Sequence, residues 1–264
     1  MADLRQEFGY TPAEEDRIIR LFPKLENAMV MTNARPTMDF LTTKLSLEHA
    51  ELRKMIMTAP FLFGLSIDDN MEPKLTYLEK RLSLNPVELR KMIMTLPTLF
   101  GYSIDANLEP KLAHLEKRME IYPENLRYLV VRHPQVLGYN ILDNLEPKIQ
   151  YIEDRFSLSP FEARCFLFRN PPFIGMDITK NLDPTIEFFE SILGAERALS
   201  LVVSDKGLLS FSLSNRLIPR RDHMIAVGME FNESTVRSLC VKTDVQFNEW
   251  CRRSRDFRDY PEGL

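Results

Sequence analysis

A fixed period of 37 residues constrains this chain more than any other feature of its sequence. Glycines, asparagines and prolines all recur at this spacing through the first two thirds of the chain. The glycines are Gly64, Gly101, Gly138 and Gly175, and the asparagines are Asn70, Asn107, Asn144 and Asn181. One series of prolines is Pro23, Pro60, Pro97, Pro134 and Pro171, and a second is Pro73, Pro110, Pro147 and Pro184. A repeat of this size indicates a stack of like units, each of which buries its apolar face against its neighbours.

The unit that begins at Pro60 opens with a turn and continues into a first helix, helix A. The run PFLFG is too short for a full helix and predicts a 3₁₀ turn, with Gly64 free to take a positive φ. Ser66, Asp68 and Asn70 are candidate N-caps for helix A, the segment EPKLTYLEKRL. Its leucines recur at helical spacing, which predicts one buried face.

A second helix, helix B, is predicted in the sequence PVELRKMIMT. Asn85 is its expected N-cap, Pro86 lies at the first helical position, and Glu88 completes a capping box. Pro97 cannot continue the helix and opens the next unit. The sequence therefore predicts an all-α fold, a right- or left-handed superhelical solenoid of helix A, helix B and 3₁₀ repeats, with antiparallel helix pairs from Pro23 to about Thr243.

We expect a single repeat domain over residues 1–264. The segment from Tyr10 fits an orphan helix B, so the chain is expected to begin inside a unit, as an N-terminally truncated fragment would. The register slips after Pro184, and Lys206 stands where the opening proline is expected, 35 residues after Pro171. The predicted parts are a partial unit at 1–22, units at about 23–59, 60–96, 97–133, 134–170, 171–205 and 206–242, and a C-terminal cap at 243–264.

Several function classes find no support in the composition. The three cysteines, Cys165, Cys240 and Cys251, form no C-x-x-C pair, and the four histidines are scattered, so we expect neither a disulfide framework nor a metal site. The chain contains no nucleophile-elbow, P-loop, dinucleotide or zinc-protease motif. We therefore expect no enzyme activity and no cofactor.

No apolar run approaches the roughly 20 residues that a membrane-spanning helix needs. The first ten residues are neither a signal peptide nor an Arg/Ser-rich transit peptide. We expect a monomer that does not bind membranes, and we expect any organellar targeting segment to be missing from this chain.

The repeat resembles a known family. Its consensus, P-x-L-F/L-G-x-S/N-I followed by N-L-E-P-K-L-x-x-L-E-x-R and a helix that ends in proline, is similar to the repeat of the mitochondrial transcription termination factor (mTERF) family. SNRLIPRR, from Ser214 to Arg221, resembles the R-L-x-P-R element of that family, and TDVQF, from Thr243 to Phe247, resembles its closing segment. The resemblance covers about residues 8–250.

The resemblance implies a superhelix that binds double-stranded DNA or RNA in mitochondria or chloroplasts. Family members affect transcription, termination, RNA maturation or ribosome assembly, so other organellar gene-expression proteins are possible further partners. The net charge of −4 favours a different class of function, a helical-repeat scaffold for other proteins. Both hypotheses stay open at the level of the sequence.

The period turns single cations into rows. One row lies beside the buried face of helix B and consists of Arg53, Arg90, Arg127 and Arg164. It could follow a phosphate backbone, or each arginine could pair with a neighbouring glutamate. A second row, near the C-terminus of helix A where the macrodipole favours cations, is Lys44, Arg81, Arg118 and Arg155. A third row, which we expect to be exposed beside neighbouring glutamates, is Lys74, Lys111 and Lys148.

A late basic cluster completes the candidate binding residues. Segment 206–242 has three acids and six bases, and its core is Arg216, Arg220 and Arg221, with Lys206 and Arg237 as extensions. Arginine suits bidentate phosphate contacts, so we expect these side chains to be exposed and to bind nucleic acid. We expect Arg220→Ala to leave folding nearly intact.

Overall fold

The computed structural model describes residues 4–26, 32–205 and 207–256, and all regular structure in these ranges is helical. The predicted all-α repeat fold is therefore confirmed. Contacts divide the chain into an N-terminal half, Met1–Ile141, and a C-terminal half, Leu142–Leu264. The expectation of one repeat domain over residues 1–264 stays a prediction. Lys206 lies outside the described residues.

Among its described residues, 4–26 and 32–141, the N-terminal half has an opening helix pair and then three A/B pairs. Its helices are α1 (Leu4–Phe8), α2 (Pro12–Leu21), α3 (Ala34–Leu45), α4 (His49–Thr58), α5 (Glu72–Leu82), α6 (Pro86–Thr95), α7 (Glu109–Met119) and α8 (Pro123–Arg132). The predicted orphan helix B corresponds to α2, and Thr11 and Glu14 form a capping box at its N-terminus.

The described residues of the C-terminal half continue the alternation, and the last helix among them is longer than the others. Its helices are α9 (Glu146–Phe156), α10 (Pro160–Arg169), α11 (Asp183–Leu193), α12 (Ala195–Ser204), α13 (Ile218–Ala226), α14 (Glu233–Val241) and α15 (Asp244–Asp256). The last of these lies within the segment 243–264, for which the C-terminal cap stays a prediction.

Within one unit the predicted order is present, with one addition. The 3₁₀ turn spans Pro60–Gly64, and a π-helical turn, Ile67–Met71, then leads directly into α5. Ser66 is the N-cap of that π turn, because its side chain accepts a hydrogen bond from the Asp69 N–H at 3.1 Å. The sequence analysis did not predict the π turn.

Helix B begins as predicted. The Asn85 side chain accepts from the Glu88 N–H at 3.0 Å, and the Glu88 carboxylate accepts from the Asn85 N–H at 3.0 Å. The buried face of α6 is Leu89, Met92 and Ile93. The leucines of α5 are buried as well, so each of the two helices contributes one apolar face to the core of the N-terminal half.

The recurring glycines have a different role from the one expected. Gly64 has no positive φ. A Cβ at Gly64 would lie 2.9 Å from the Phe22 ring, and a Cβ at Gly138 would lie 3.1 Å from the Tyr102 hydroxyl of the preceding unit. At these two positions glycine lets an earlier aromatic side chain approach the backbone, and the positive φ expected at Gly64 is wrong.

Positive φ occurs instead at the end of helix A. Ser83 has φ 50° and ψ 46°, and the following Leu84 N–H bonds the Glu79 carbonyl at 3.0 Å. The same left-handed residue recurs at 37-residue spacing as Ser46, Ser83, Glu120 and Ser157. This C-terminal motif satisfies the last carbonyls of helix A and turns the chain toward helix B.

Candidate nucleic-acid interface

The helix B arginines bind glutamates of the preceding helix B. Arg53 Nε donates to Glu14 Oε1 at 2.9 Å, and Arg90 Nη2 donates to Glu51 Oε1 at 2.5 Å. Arg127 repeats the contact, with its Nη2 at 2.6 Å from the nearer carboxylate oxygen of Glu88. In the N-terminal half this row therefore joins neighbouring units.

Each of these glutamates also completes the capping box at the N-terminus of its own helix. One carboxylate therefore binds both the N-cap of its own helix and an arginine of the next unit. The hydrogen bond from Arg53, reinforced by those from Thr11, lowers the pKa of Glu14 to about 2. The Glu48 N–H and Arg90 lower the pKa of Glu51 in the same way. These arginines are engaged in intramolecular ion pairs, and the interpretation of Arg53, Arg90 and Arg127 as a phosphate-binding row loses its support.

The fourth member of the row, Arg164, lies in the C-terminal half. Its guanidinium carbon lies 4.7 Å from the centre of the Phe161 ring, in a cation–π contact on the same helix.

The helix A row also joins neighbouring units. Lys44 Nζ donates to Glu72 at 3.0 Å, and Arg155 Nη2 donates to Glu190 at 2.7 Å. Arg81 binds two carboxylates of α7, Glu109 at 2.9 Å and Glu116 at 2.7 Å. These contacts add to the macrodipole interaction that the sequence predicted.

The lysine row is buried, which contradicts the expectation of solvent exposure. Lys74 is 6% exposed, and its ammonium donates to the Phe100 carbonyl and, at 2.8 Å, to the Asn70 side chain. Lys111 donates to the Leu137 carbonyl at 2.6 Å, and Lys148 donates to the Ile174 carbonyl at 3.2 Å. Each carbonyl belongs to the 3₁₀ turn of the next unit. Burial lowers the pKa of all three lysines.

Arg220 continues this row in the last unit. It follows Pro219 as Lys74 follows Pro73, and it is 5% exposed. Its Nη1 donates to the Leu239 carbonyl at 2.7 Å and to the Lys242 carbonyl at 2.8 Å, while Nη2 binds Asp244 at 2.5 Å. The expectation that Arg220 is an exposed side chain is wrong, because its guanidinium is committed to the main chain of the following segment.

The remaining members of the late cluster lie nearer the surface. Arg216 Nη1 donates to the Cys240 carbonyl at 3.4 Å, and its guanidinium lies 5.0 Å from the centre of the Phe211 ring. Arg221 pairs with its neighbour Asp222 at 2.7 Å. Both are partly exposed.

Arg237 is exposed and pairs with Asp205 at 2.7 Å. It occupies the same position in α14 as Arg164 occupies in α10, so it extends the helix B row.

A shallow groove beside this cluster was missed by the sequence analysis. It lies between the end of α14 and α15, and its lining includes Lys242, Trp250 and Arg253. The Lys242 ammonium lies 5.7 Å from the centre of the Trp250 ring. The signal available in the sequence was the single tryptophan next to two arginines, in a segment that we interpreted only as a cap.

Two further classes of site are absent from the part of the chain that the structure describes. No group of three or more His, Cys, Asp or Glu side chains there could hold a metal ion. Nor does any of its helices have the length and apolar character needed to span a bilayer.

Together, the helical pairs and the contacts that recur between them define an all-α tandem-repeat protein. The mTERF family model matches residues 4–248, and the chain belongs to this family. None of the curated proteins compared with the chain matches it significantly.

Proposed function

We propose that this protein binds nucleic acid without catalysing a reaction, and that it regulates gene expression in a mitochondrion or a chloroplast. Membership of the mTERF family supports this proposal. The observation that carries it in this chain is the distribution of its arginines. Those of the N-terminal rows are used between units, whereas segment 206–242 has twice as many bases as acids.

The proposed contact region is the C-terminal basic surface, which we define as Arg216, Lys242, Trp250 and Arg253. The Cys240 carbonyl that holds Arg216 lies two residues before Lys242, so Arg216 is attached to the same short stretch of main chain that carries Lys242. Lys242 in turn lies over Trp250, and Trp250 and Arg253 line one groove, in which the exposed Arg253 pairs with Glu249 of the same helix. Cations bind phosphates, and an aromatic ring beside them can stack with an unpaired base.

Arg216 is the residue of this surface best placed to hold a phosphate. The Phe211 ring and the Cys240 carbonyl fix its guanidinium, which reduces the entropy lost on binding. A guanidinium carries five N–H donors, and the contact with Cys240 is made through Nη1 alone. Arg221 and Arg237 of the same unit remain candidate phosphate contacts at the edge of the C-terminal basic surface.

The test is filter binding of the protein to duplex DNA, single-stranded DNA and RNA of the same sequence across a salt series. We expect binding to at least one of them, with affinity that falls as salt rises. Arg216→Ala should weaken it. Arg197→Ala is the matched control, because Arg197 is an exposed arginine in segment 171–205, which has six acids and two bases. Absence of salt-dependent binding to all three would reject the proposal.

A protein-binding scaffold is the second candidate. Val241, which is 60% exposed, lines the same groove, and the whole chain has a net charge of −4. Under this alternative Val241→Asp would abolish binding of a partner protein and leave nucleic-acid affinity unaffected. If Val241→Asp and Arg216→Ala weaken the same nucleic-acid complex, the groove belongs to the nucleic-acid surface.

A further inference from the structure

The internal lysine row is interrupted at one place in the C-terminal half. Lys148 and Arg220 each follow a helix A proline and donate to a main-chain carbonyl of the following segment. Thr185 holds the same position between them, after Pro184. It is 3% exposed and has neither the aliphatic stem nor the ammonium group of lysine. The cation present in the neighbouring units is therefore absent here.

Thr185 lines an open cleft. Its lining includes Thr185, Asn181, Leu209 and Ser210, together with Met176 and Lys180 nearer its mouth. Leu209 is the second-last residue of its 3₁₀ turn, the place that Ile174 holds in the turn whose carbonyl Lys148 binds. Asn181 corresponds to Asn70, whose side-chain oxygen accepts from Lys74. The two oxygens that hold an ammonium in an equivalent unit have counterparts around this cleft.

Thr37 is the first member of the same row, and it also stands where the next three units have lysine. It is fully buried, with a hydroxyl that has no hydrogen-bond partner, whereas Thr185 lines an open cleft.

We propose that the Thr185 cleft binds an aliphatic primary ammonium group, which takes the place of the missing lysine. The ammonium would donate to the Leu209 carbonyl, the Asn181 side-chain oxygen and the Thr185 hydroxyl. The surrounding segment 171–205, with six acids and two bases, favours a cation. Lys180 at the mouth opposes it, so its replacement strengthens binding. The same chemistry could be supplied by a free polyamine or by a lysine side chain of another protein.

The probes are spermidine and Nα-acetyl-lysine N-methylamide, and the reporter is the ¹³C-methyl NMR signal of Met176, assigned with Met176→Leu. Both probes carry a primary ammonium group, which a lysine supplies at this position in neighbouring units. We therefore expect a saturable shift of the Met176 signal from at least one of them. A shift from spermidine alone identifies a free amine as the ligand, and a shift from the lysine derivative identifies a protein side chain. Inorganic phosphate should cause no saturable shift.

Three variants separate the site from non-specific binding. Thr185→Lys supplies the ammonium from within, as Lys148 does, and should abolish the shift and raise the melting temperature. Thr185→Val removes one neutral hydrogen bond and should weaken binding roughly 2- to 10-fold. Lys180→Gln should strengthen binding, and it tests the site even if Thr185→Lys does not fold. No saturable shift from either amine, or an equal shift in Thr185→Lys, would overturn the proposal.

Discussion

Arg220 is the structural counterpart of Lys148. Each cation follows the proline of a helix A and is buried, and each donates to main-chain carbonyls of the segment that follows. The two side chains differ in the number of groups that they bind. The lysine holds one carbonyl of the next 3₁₀ turn, whereas the guanidinium holds two carbonyls around the end of α14 and also Asp244 at the start of α15. Arg220 therefore fastens the C-terminal helix to the last repeat.

Arg220→Ala should lower the free energy of unfolding by about 2–4 kcal/mol, because it leaves two main-chain carbonyls without a charged donor. Arg216→Ala, at a partly exposed side chain, should cost about 0.5–1 kcal/mol. Arg220→Lys should recover part of the loss, as the lysines of the earlier units indicate. Urea unfolding followed by circular dichroism measures all three. If the Arg220→Ala protein is as stable as the Arg216→Ala protein, Arg220 does not have this structural role.

Lys111→Thr introduces the residue found at position 185 into a unit that has the lysine contact. It should destabilise the protein by about 1–3 kcal/mol, because the Leu137 carbonyl loses its donor. The control is Lys117→Thr on the same helix, where the exposed side chain contributes only helix propensity, about 0.5 kcal/mol. Equal losses in the two variants would contradict the account of the buried row.

The ion pair between Arg53 and Glu14 predicts a particular pH dependence. The pKa of Glu14 is about 2 in the folded protein and 4.5 in the reference state, so its stabilising contribution is present above pH 4.5 and is lost as the pH falls toward 2. Glu14→Gln keeps the capping geometry and removes the charge. It should be less stable than the unmodified protein at pH 7, and the difference should vanish near pH 2.

Chemical denaturation at a series of pH values measures that difference. Glu124→Gln, which removes an exposed carboxylate from the first turn of α8, provides the control. A Glu14→Gln difference that stays constant from pH 7 to pH 2 would exclude the ion pair as its cause.

The pairing of Arg127 with Glu88 should appear as a coupling energy between neighbouring units. A double-mutant cycle with Arg127→Ala and Glu88→Gln should give about 0.2–1 kcal/mol, since both side chains are partly exposed and screened by solvent. The control cycle combines Glu88→Gln with Arg90→Ala, because residues two apart do not face each other on a helix. Coupling in the control equal to that in the pair would contradict the inter-unit contact.

Local signals in the sequence predicted most of the fold. Pro86, Asn85 and Glu88 define the start of a helix through interactions within four residues, and the structure has that start as predicted. The left-handed residue Ser83 could not be predicted, because the sequence offers no glycine there and the conformation follows from the C-terminal hydrogen bonds of helix A.

The candidate site was less predictable, because its residues depend on contacts between units. Nothing near Arg220 in the sequence shows that two carbonyls about 20 residues later will surround its guanidinium. The repeat register aligns Pro219 and Arg220 with Pro147 and Lys148. This alignment predicts a buried Arg220 only when the lysine is known to be buried, and the structure was needed to show that.

The most direct test of nucleic-acid binding is the salt dependence of affinity for Arg216→Ala beside Arg197→Ala, on whichever nucleic acid the protein binds best. A lost phosphate contact should reduce the slope of log affinity against log salt by about 0.7–0.9, with a similar loss across unrelated sequences. Arg197→Ala should keep the original slope. If the two variants have the same slope and affinity as the unmodified protein, the C-terminal basic surface is not where nucleic acid binds.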